Sequence, residues 1–158
     1  MKKVFSVGSL FLLLLSLIQL GASSCKKEVE VKVPMPPIDT LAVLTAKQYH
    51  MEEIRILQDN NVYYYKKGSS GNTATFDQEY IKFNTDKTGS YFYNGTTNTI
   101  SWDFVGTNKT RIRYILNRST PVTINWENIS YSGDSLSYSE YYIINGVNSM
   151  STALRIAK

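Results

Sequence analysis

From Tyr49 onward, apolar and polar residues alternate along short runs. Ile81 and Phe83 oppose Tyr80 and Lys82. Ile100, Trp102 and Phe104 oppose Ser101 and Asp103. Ile112, Tyr114 and Leu116 oppose Arg111 and Arg113, and Val122, Ile124 and Trp126 oppose Thr123, Asn125 and Glu127. A period of two marks strands with one buried and one wetted face. The same rule applied to the last run places Leu154 and Ile156 inward and Arg155 outward.

Turn chemistry punctuates these runs. Asp59-Asn60-Asn61, Gly68 to Asn72, Asp86 to Gly89, Asn94-Gly95, Gly106 to Lys109, Asn117 to Ser119, Gly133-Asp134 and Asn145-Gly146 separate segments rich in Tyr, Ile, Val, Thr, Phe and Trp. Asn-Gly pairs are strong hairpin dipeptides, because both central residues of the favoured turn need positive φ. The pattern predicts about nine strands, over 49–57, 62–67, 79–84, 90–93, 99–105, 110–116, 122–129, 135–144 and 147–156. Their connections are too short for parallel crossovers, so the fold class is all-β, an antiparallel meander. Closure, or near closure, into an up-and-down barrel of about 8–9 strands removes the exposed edges. Pro121 fits a strand start, where no ladder donor is lost. Only Leu41 to Gln48 suits a helix, a short one across one end of the fold.

The first forty residues follow other rules. Lys2-Lys3 precede an apolar stretch, Val4 to Leu20, which ends in Gly21-Ala22-Ser23-Ser24. This is secretory signal architecture, with a retained membrane anchor as the competing reading. The run falls short of the ~20 residues a span requires. Ala22-Ser23-Ser24-Cys25 resembles the lipobox of bacterial lipoproteins, with Ala22 where Leu is usual. That resemblance implies lipidation of Cys25, the single cysteine, after cleavage. A free thiol is the alternative. Lys26 to Asp39, with Pro34, Pro36 and Pro37, reads as an extended tether at ~3.1 Å per residue. The domains expected are therefore a signal peptide at 1–24, a lipidated tether at 25–40 and a barrel at 41–158.

The stretch from Tyr80 to Tyr91 (Tyr-Ile-Lys-Phe-Asn-Thr-Asp-Lys-Thr-Gly-Ser-Tyr), then Ile100-Ser101-Trp102-Asp103-Phe104 and the later Trp126, resembles the lipocalin-like lipoprotein domains of Bacteroidota. The resemblance covers 48–158. The Gly-x-Trp usual near the first lipocalin strand is replaced by Ala46-Lys47-Gln48-Tyr49. It implies a lipocalin-like barrel and a non-enzymatic binding role. Tyr49, Trp102, Phe104, Tyr114 and Trp126 become candidates for the barrel interior or for ligand contact. Lys26, after Cys25, points away from inner-membrane retention by the sorting rule of similar lipoproteins, hence to the outer membrane, on either its periplasmic or its surface side.

Composition narrows the chemistry. The formal charge is +4, but Lys2 and Lys3 belong to the leader, and the remainder holds 15 basic against 13 acidic residues. That balance gives no reason to expect nucleic acid as a partner. One histidine and one cysteine exclude a Cys/His zinc cluster. His50 would have to serve any Ser–His or Cys–His pair, and it reads as an ordinary strand residue. Glu52, Glu53, Asp77, Glu79 and Asp103 are the possible paired carboxylates. Adjacent Glu52 and Glu53 face opposite ways on a regular strand, so one of them points inward, with the barrel mouth as its expected place. Asn84 to Gly89 has the look of a calcium loop without enough acidic ligands, and reads as a turn. No catalytic residue, metal or cofactor is assigned. The twelve tyrosines include Tyr63-Tyr64-Tyr65 and Tyr141-Tyr142, which must put rings on both faces. Exposed rings suit a glycan or an envelope protein, and an unfilled interior suits a small apolar ligand. A structural accessory subunit of an outer-membrane complex is the alternative function, and a hydrolase a weaker one.

Overall fold

The computed structural model describes residues 39–158. Cys25, the expected signal peptide and nearly all of the expected tether lie outside them. The described chain opens with helix α1 (Thr40–Ala46), followed by β1 (Gln48–Gln58), β2 (Asn61–Lys66), β3 (Tyr80–Phe83), β4 (Thr88–Tyr93), β5 (Thr96–Phe104), β6 (Ile112–Asn117), β7 (Val122–Ser132), β8 (Ser135–Ile144) and β9 (Val147–Ala157). Asp39 caps α1 through its carboxylate, which accepts from the amides of Leu41 and Ala42. Leu44 on α1 is fully buried in the core.

Every pairing is antiparallel, and neighbours in sequence are neighbours in the sheet from β3 to β9. The sheet closes because β1 pairs with β9 along Tyr49 to Gln58. The other edge of β1 is shared. Its first residues, Gln48 to His50, pair with β3, and Glu53 to Gln58 pair with β2. The result is a closed eight-stranded barrel with β2 as one extra strand. The Asp59-Asn60 turn that sends β2 back along β1 has both residues at positive φ (46° and 66°), the twist that tight hairpins require.

The interior follows the sequence alternation on most strands. Ile81, Phe83, Ile100, Trp102, Ile112, Tyr114, Leu116, Val122, Ile124 and Trp126 are all buried. Their rings interlock edge to face. Phe83 meets Trp102 at 5.2 Å and Trp126 at 5.4 Å between centroids, and Tyr114 meets Trp126 at 5.6 Å. Each such pair contributes about 0.5–1.5 kcal/mol beyond its buried area. Phe104 is only partly buried and packs edge-on against Trp102.

Two expectations fail. Leu154 and Ile156 do not face inward. Arg155 does, with 2% of its surface exposed. The tight β8–β9 hairpin pairs Ile144 with Val147, which carries Leu136 into register with Arg155 and puts both on the inner face. Nor does Glu52 or Glu53 alternate into the core. A bulge between Met51 and Glu53 absorbs one residue, so the buried series runs Tyr49, Met51, then Ile54. Glu53 instead meets Lys66 at 3.3 Å and accepts from the Tyr64 hydroxyl.

Gly89 marks the tightest approach between strands. It sits opposite Phe83 on β3 and Ile100 on β5. A Cβ at this position would collide with the Lys82 carbonyl and lie 2.9 Å from Ile100 Cγ1. Gly89→Ala is therefore expected to cost about 2 kcal/mol or more through overpacking. Urea unfolding of the two chains measures it, and equal midpoints would contradict the close approach.

Candidate functional site

Phe83, Trp102, Trp126 and Tyr138 pack together inside the barrel. At the end where β1, β4, β6 and β8 finish lies a cavity of about 440 Å³. Its floor includes Met51, Tyr114 and Arg155, each under 4% exposed. Its rim includes the exposed residues Tyr63, Thr73, Tyr93 and Arg118. Ile54, Ile56, Leu116, Val122, Ile124 and Ile144 supply apolar wall, and Tyr91 and Tyr142 supply aromatic wall. One side is loop rather than sheet. β3 begins only at Tyr80, so residues 73–76 fill the space between β2 and the end of β4, with Phe76 against Tyr65 and Tyr93.

At this level β9 contributes little bulk to the inner face. Its inward residues are Ser149, Ser151 and Ala153, opposite Tyr142, Glu140 and Tyr138. The hydroxyls of Ser149 and Ser151 are buried and find no hydrogen-bond partner.

Two carboxylates enter the interior. Glu79, in the loop before β3, forms a bidentate ion pair with Arg155, at 2.7 Å to Nη1 and 2.6 Å to Nη2. Arg155 also donates through Nε to the Tyr138 hydroxyl at 2.6 Å and through Nη1 to the Tyr49 carbonyl at 3.2 Å. Its guanidinium lies 5.6 Å from the Trp126 ring, which stacks on Tyr138 at 3.8 Å. Glu140 is the second acid. Its Oε2 accepts from Trp126 Nε1 at 2.7 Å and from the Tyr114 hydroxyl at 3.4 Å. Oε1 accepts nothing among the described residues, and Glu140 keeps surface open to the cavity. Burial raises the Glu140 carboxyl above its ordinary 4.5, against the lowering effect of the Trp126 hydrogen bond and of Arg155.

The residues singled out in the sequence separate here. Tyr114 lines the cavity. Trp126 and Trp102 are buried, Trp126 bonded to Glu140 and Trp102 donating to the Thr88 carbonyl at 2.9 Å. Tyr49 is buried at the end where β1 starts, its hydroxyl on the Val43 carbonyl of α1. Phe104 borders an outer groove with Asp103, Gly106 and Arg113. His50 rests beside Tyr80, its pKa lowered first by partial burial and then by Lys158 and Lys67. Asp77 accepts from the Tyr65 hydroxyl, and Asp103 pairs with Lys87. Burial and Asp77 push Tyr65 up to about 12. In the Asn84–Gly89 turn, Asp86 accepts from the Thr88 amide and hydroxyl, which closes the turn on itself. No group of acids, His or Cys among the described residues has the geometry of a metal site. Glu140 and Arg155 were not anticipated.

Comparisons with family models, curated proteins and solved structures find no match for this chain. The class that the topology defines is a small antiparallel up-and-down barrel with an internal cavity at one end.

Two outcomes follow from the interior charges. Arg155→Met strands the buried Glu79 carboxylate and should cost about 3–5 kcal/mol in urea unfolding. Adding Glu79→Met should return most of that loss, because a matched apolar pair carries no desolvated charge. For Glu140, folding raises the pKa, so the native state holds the proton more tightly than the unfolded chain does. Stability then falls as pH rises past 4.5 through the raised value. Glu140→Gln keeps an acceptor for Trp126 and Tyr114 without the charge. Its Tm should exceed that of the parent chain at neutral pH, and the difference should vanish below about pH 4.

Proposed function

We propose that this chain is a lipid-anchored, non-enzymatic lipoprotein of the bacterial outer membrane, of the lipocalin-like kind found in Bacteroidota, that holds a small ligand inside its barrel. The observation that carries the reading is the cavity of about 440 Å³ at one barrel end. Its size and its mainly apolar and aromatic lining fit a small-molecule site, which usually falls between ~300 and ~1,000 Å³. The charged groups at its floor are held in hydrogen bonds rather than set against a nucleophile, which favours binding over catalysis. Support for the anchor comes from the sequence: an apolar leader, small residues and one cysteine at their boundary.

One observation favours the second reading, an accessory subunit of an envelope complex. On the outer face Val62, Leu57, Met150 and Tyr141 follow one another in register across β2, β1, β9 and β8, and all are at least 41% exposed. They border a groove of about 700 Å³ with Arg55, Arg111 and Glu127. An apolar row rimmed by charges is what a protein contact needs.

Titration of the full chain carrying Cys25→Ser with the neutral fluorophore N-phenylnaphthylamine tests the ligand reading. Saturable binding is expected, and Ile56→Trp, which adds an indole to the cavity wall, should weaken it about ten-fold or more with little change in Tm. Binding that ignores Ile56→Trp would move the site to the outer face. Mass spectrometry of the native chain extracted from membranes tests the anchor, and an unmodified Cys25 in a soluble chain would retire it.

A further inference from the structure

The cavity has a neighbour. A second pocket, of about 390 Å³, lies between the loop that precedes β3 and the Asn94-Gly95 turn that joins β4 to β5. Thr75, Phe76 and Tyr93 line both spaces, so the two adjoin. The Phe76 ring packs on Tyr93 at 5.4 Å between centroids, and Tyr93 is 41% exposed. The loop is fixed where it turns back along β2. Asn72 bonds both backbone groups of Lys66, and the Thr73 hydroxyl accepts from the Tyr64 amide. Residues 75–78 then close the gap before β3 begins. The turn opposite them has both residues at positive φ, 48° and 77°.

The two spaces differ in chemistry. Aliphatic and aromatic side chains make most of the inner wall. The outer pocket carries Asp77, Gln78 and Asn94, all exposed, beside the Phe76 and Tyr93 rings. Asp77 accepts from the Tyr65 hydroxyl through Oδ1, which leaves Oδ2 open. The side chains of Thr75, Gln78 and Asn94 make no hydrogen bond to other described residues. Charge favours neither sign of ligand. Arg155 and Glu79 neutralise each other, and the inner space holds one further acid, Glu140, and one further base, Arg118. An ionic head there meets attraction and repulsion together.

We propose that the cavity and the outer pocket hold one uncharged amphiphile, its apolar chain inside the barrel and a sugar-like, hydroxyl-rich head in the outer pocket. The proposal rests on the internal-ligand reading and names the class of that ligand. Hydroxyls donate and accept, as do the Gln78 and Asn94 amides, and the Asp77 carboxylate accepts. The C–H face of a sugar ring packs against the electron-rich face of an aromatic ring, which the exposed Tyr93 supplies. The chain follows Ile54, Ile56 and Ile144 to the Tyr93 rim. Inside the apolar space the head would lose its water without replacement, whereas the outer pocket offers polar partners.

Octyl glucoside, octanol and octyltrimethylammonium share one chain and differ in the head. Each is titrated below the concentration at which it aggregates, into the full chain carrying Cys25→Ser, with the side-chain amide resonances as readout. Octyl glucoside should bind about ten-fold or more tightly than either of the others, the worth of one or two hydrogen bonds. It should shift the Asn94 amide, which octanol leaves in place. Asn94→Gly suits the positive φ of that turn and removes only the amide. Combined with Gln78→Ala, it should bring the glucoside down to the affinity of octanol, whose own binding stays unchanged. Ile56→Trp should weaken all three probes. Equal binding of glucoside and octanol, tighter binding of the cation, or a glucoside preference that survives the double substitution overturns the hydroxylated head and leaves an apolar site in place. Glucoside binding that ignores Ile56→Trp overturns the joint occupancy of the two spaces. Failure of all three probes to bind overturns the proposal together with the internal-ligand reading.

Discussion

The bidentate pair between Arg155 and Glu79 holds the seam at which the barrel closes. Arg155 comes from the last strand, Tyr138 from the one before it, the Tyr49 carbonyl from the first strand, and Glu79 from the loop that leads into β3. One guanidinium therefore joins four separate parts of the chain. Two ions at 2% exposure have lost their water, and only the fork geometry and the additional hydrogen bonds offset that loss. The pair also fixes register. A slip of β9 by one residue would turn Arg155 to solvent and leave Glu79 alone among aromatic rings, a large penalty against every neighbouring arrangement.

The same interior explains why one end is solid and the other hollow. Phe83, Trp102, Trp126 and Tyr138 crowd the middle of the barrel, and α1 contributes Leu44 to the core beside the start of β1. Toward the far end, β9 offers only Ser149 and Ser151 while β3 has not yet begun, so a loop and the tyrosines of β4 and β8 form the wall. Small barrels usually fill their interiors with side chains. Here the missing bulk lies next to an acid whose second oxygen is unused, and apolar surface and a polar anchor meet in one space.

Much of this was legible in the chain. Turn residues and β-branched or aromatic runs located all nine strands, and alternation assigned the inner face of β3, β5, β6 and β7, where polar and apolar residues sort cleanly. The site was less legible. On β9 the inward series reads Ser, Ser, Ala, Arg and the outward series Met, Thr, Leu, Ile, so hydrophobicity points to the wrong face. Register held the missing signal. A two-residue Asn145-Gly146 turn pairs Ile144 with Val147, and counting outward from it brings Ser151 opposite Glu140 and Arg155 opposite Leu136. On β8 itself Glu140 keeps the parity of Leu136, Tyr138 and Tyr142, an acid inside an otherwise apolar series.

The sequence by itself determined the strands, their antiparallel order and most of the residues that fill the barrel, because these depend on local turn chemistry and on a periodicity of two. It also carries an apolar stretch from Val4 to Leu20 and a single cysteine, Cys25, shortly after it. Tertiary structure decided the rest. Closure of β1 on β9, the bulge that turns Glu52 and Glu53 out of the core series, and the meeting of Glu79 with Arg155 across 76 positions are contacts between distant segments. A buried charge can be tolerated only where a partner arrives from elsewhere in the chain, so the position of that partner is a property of the folded barrel. The hollow beside Glu140 is of the same kind. It is the volume left when eight strands of unequal length and bulk close around a shared axis.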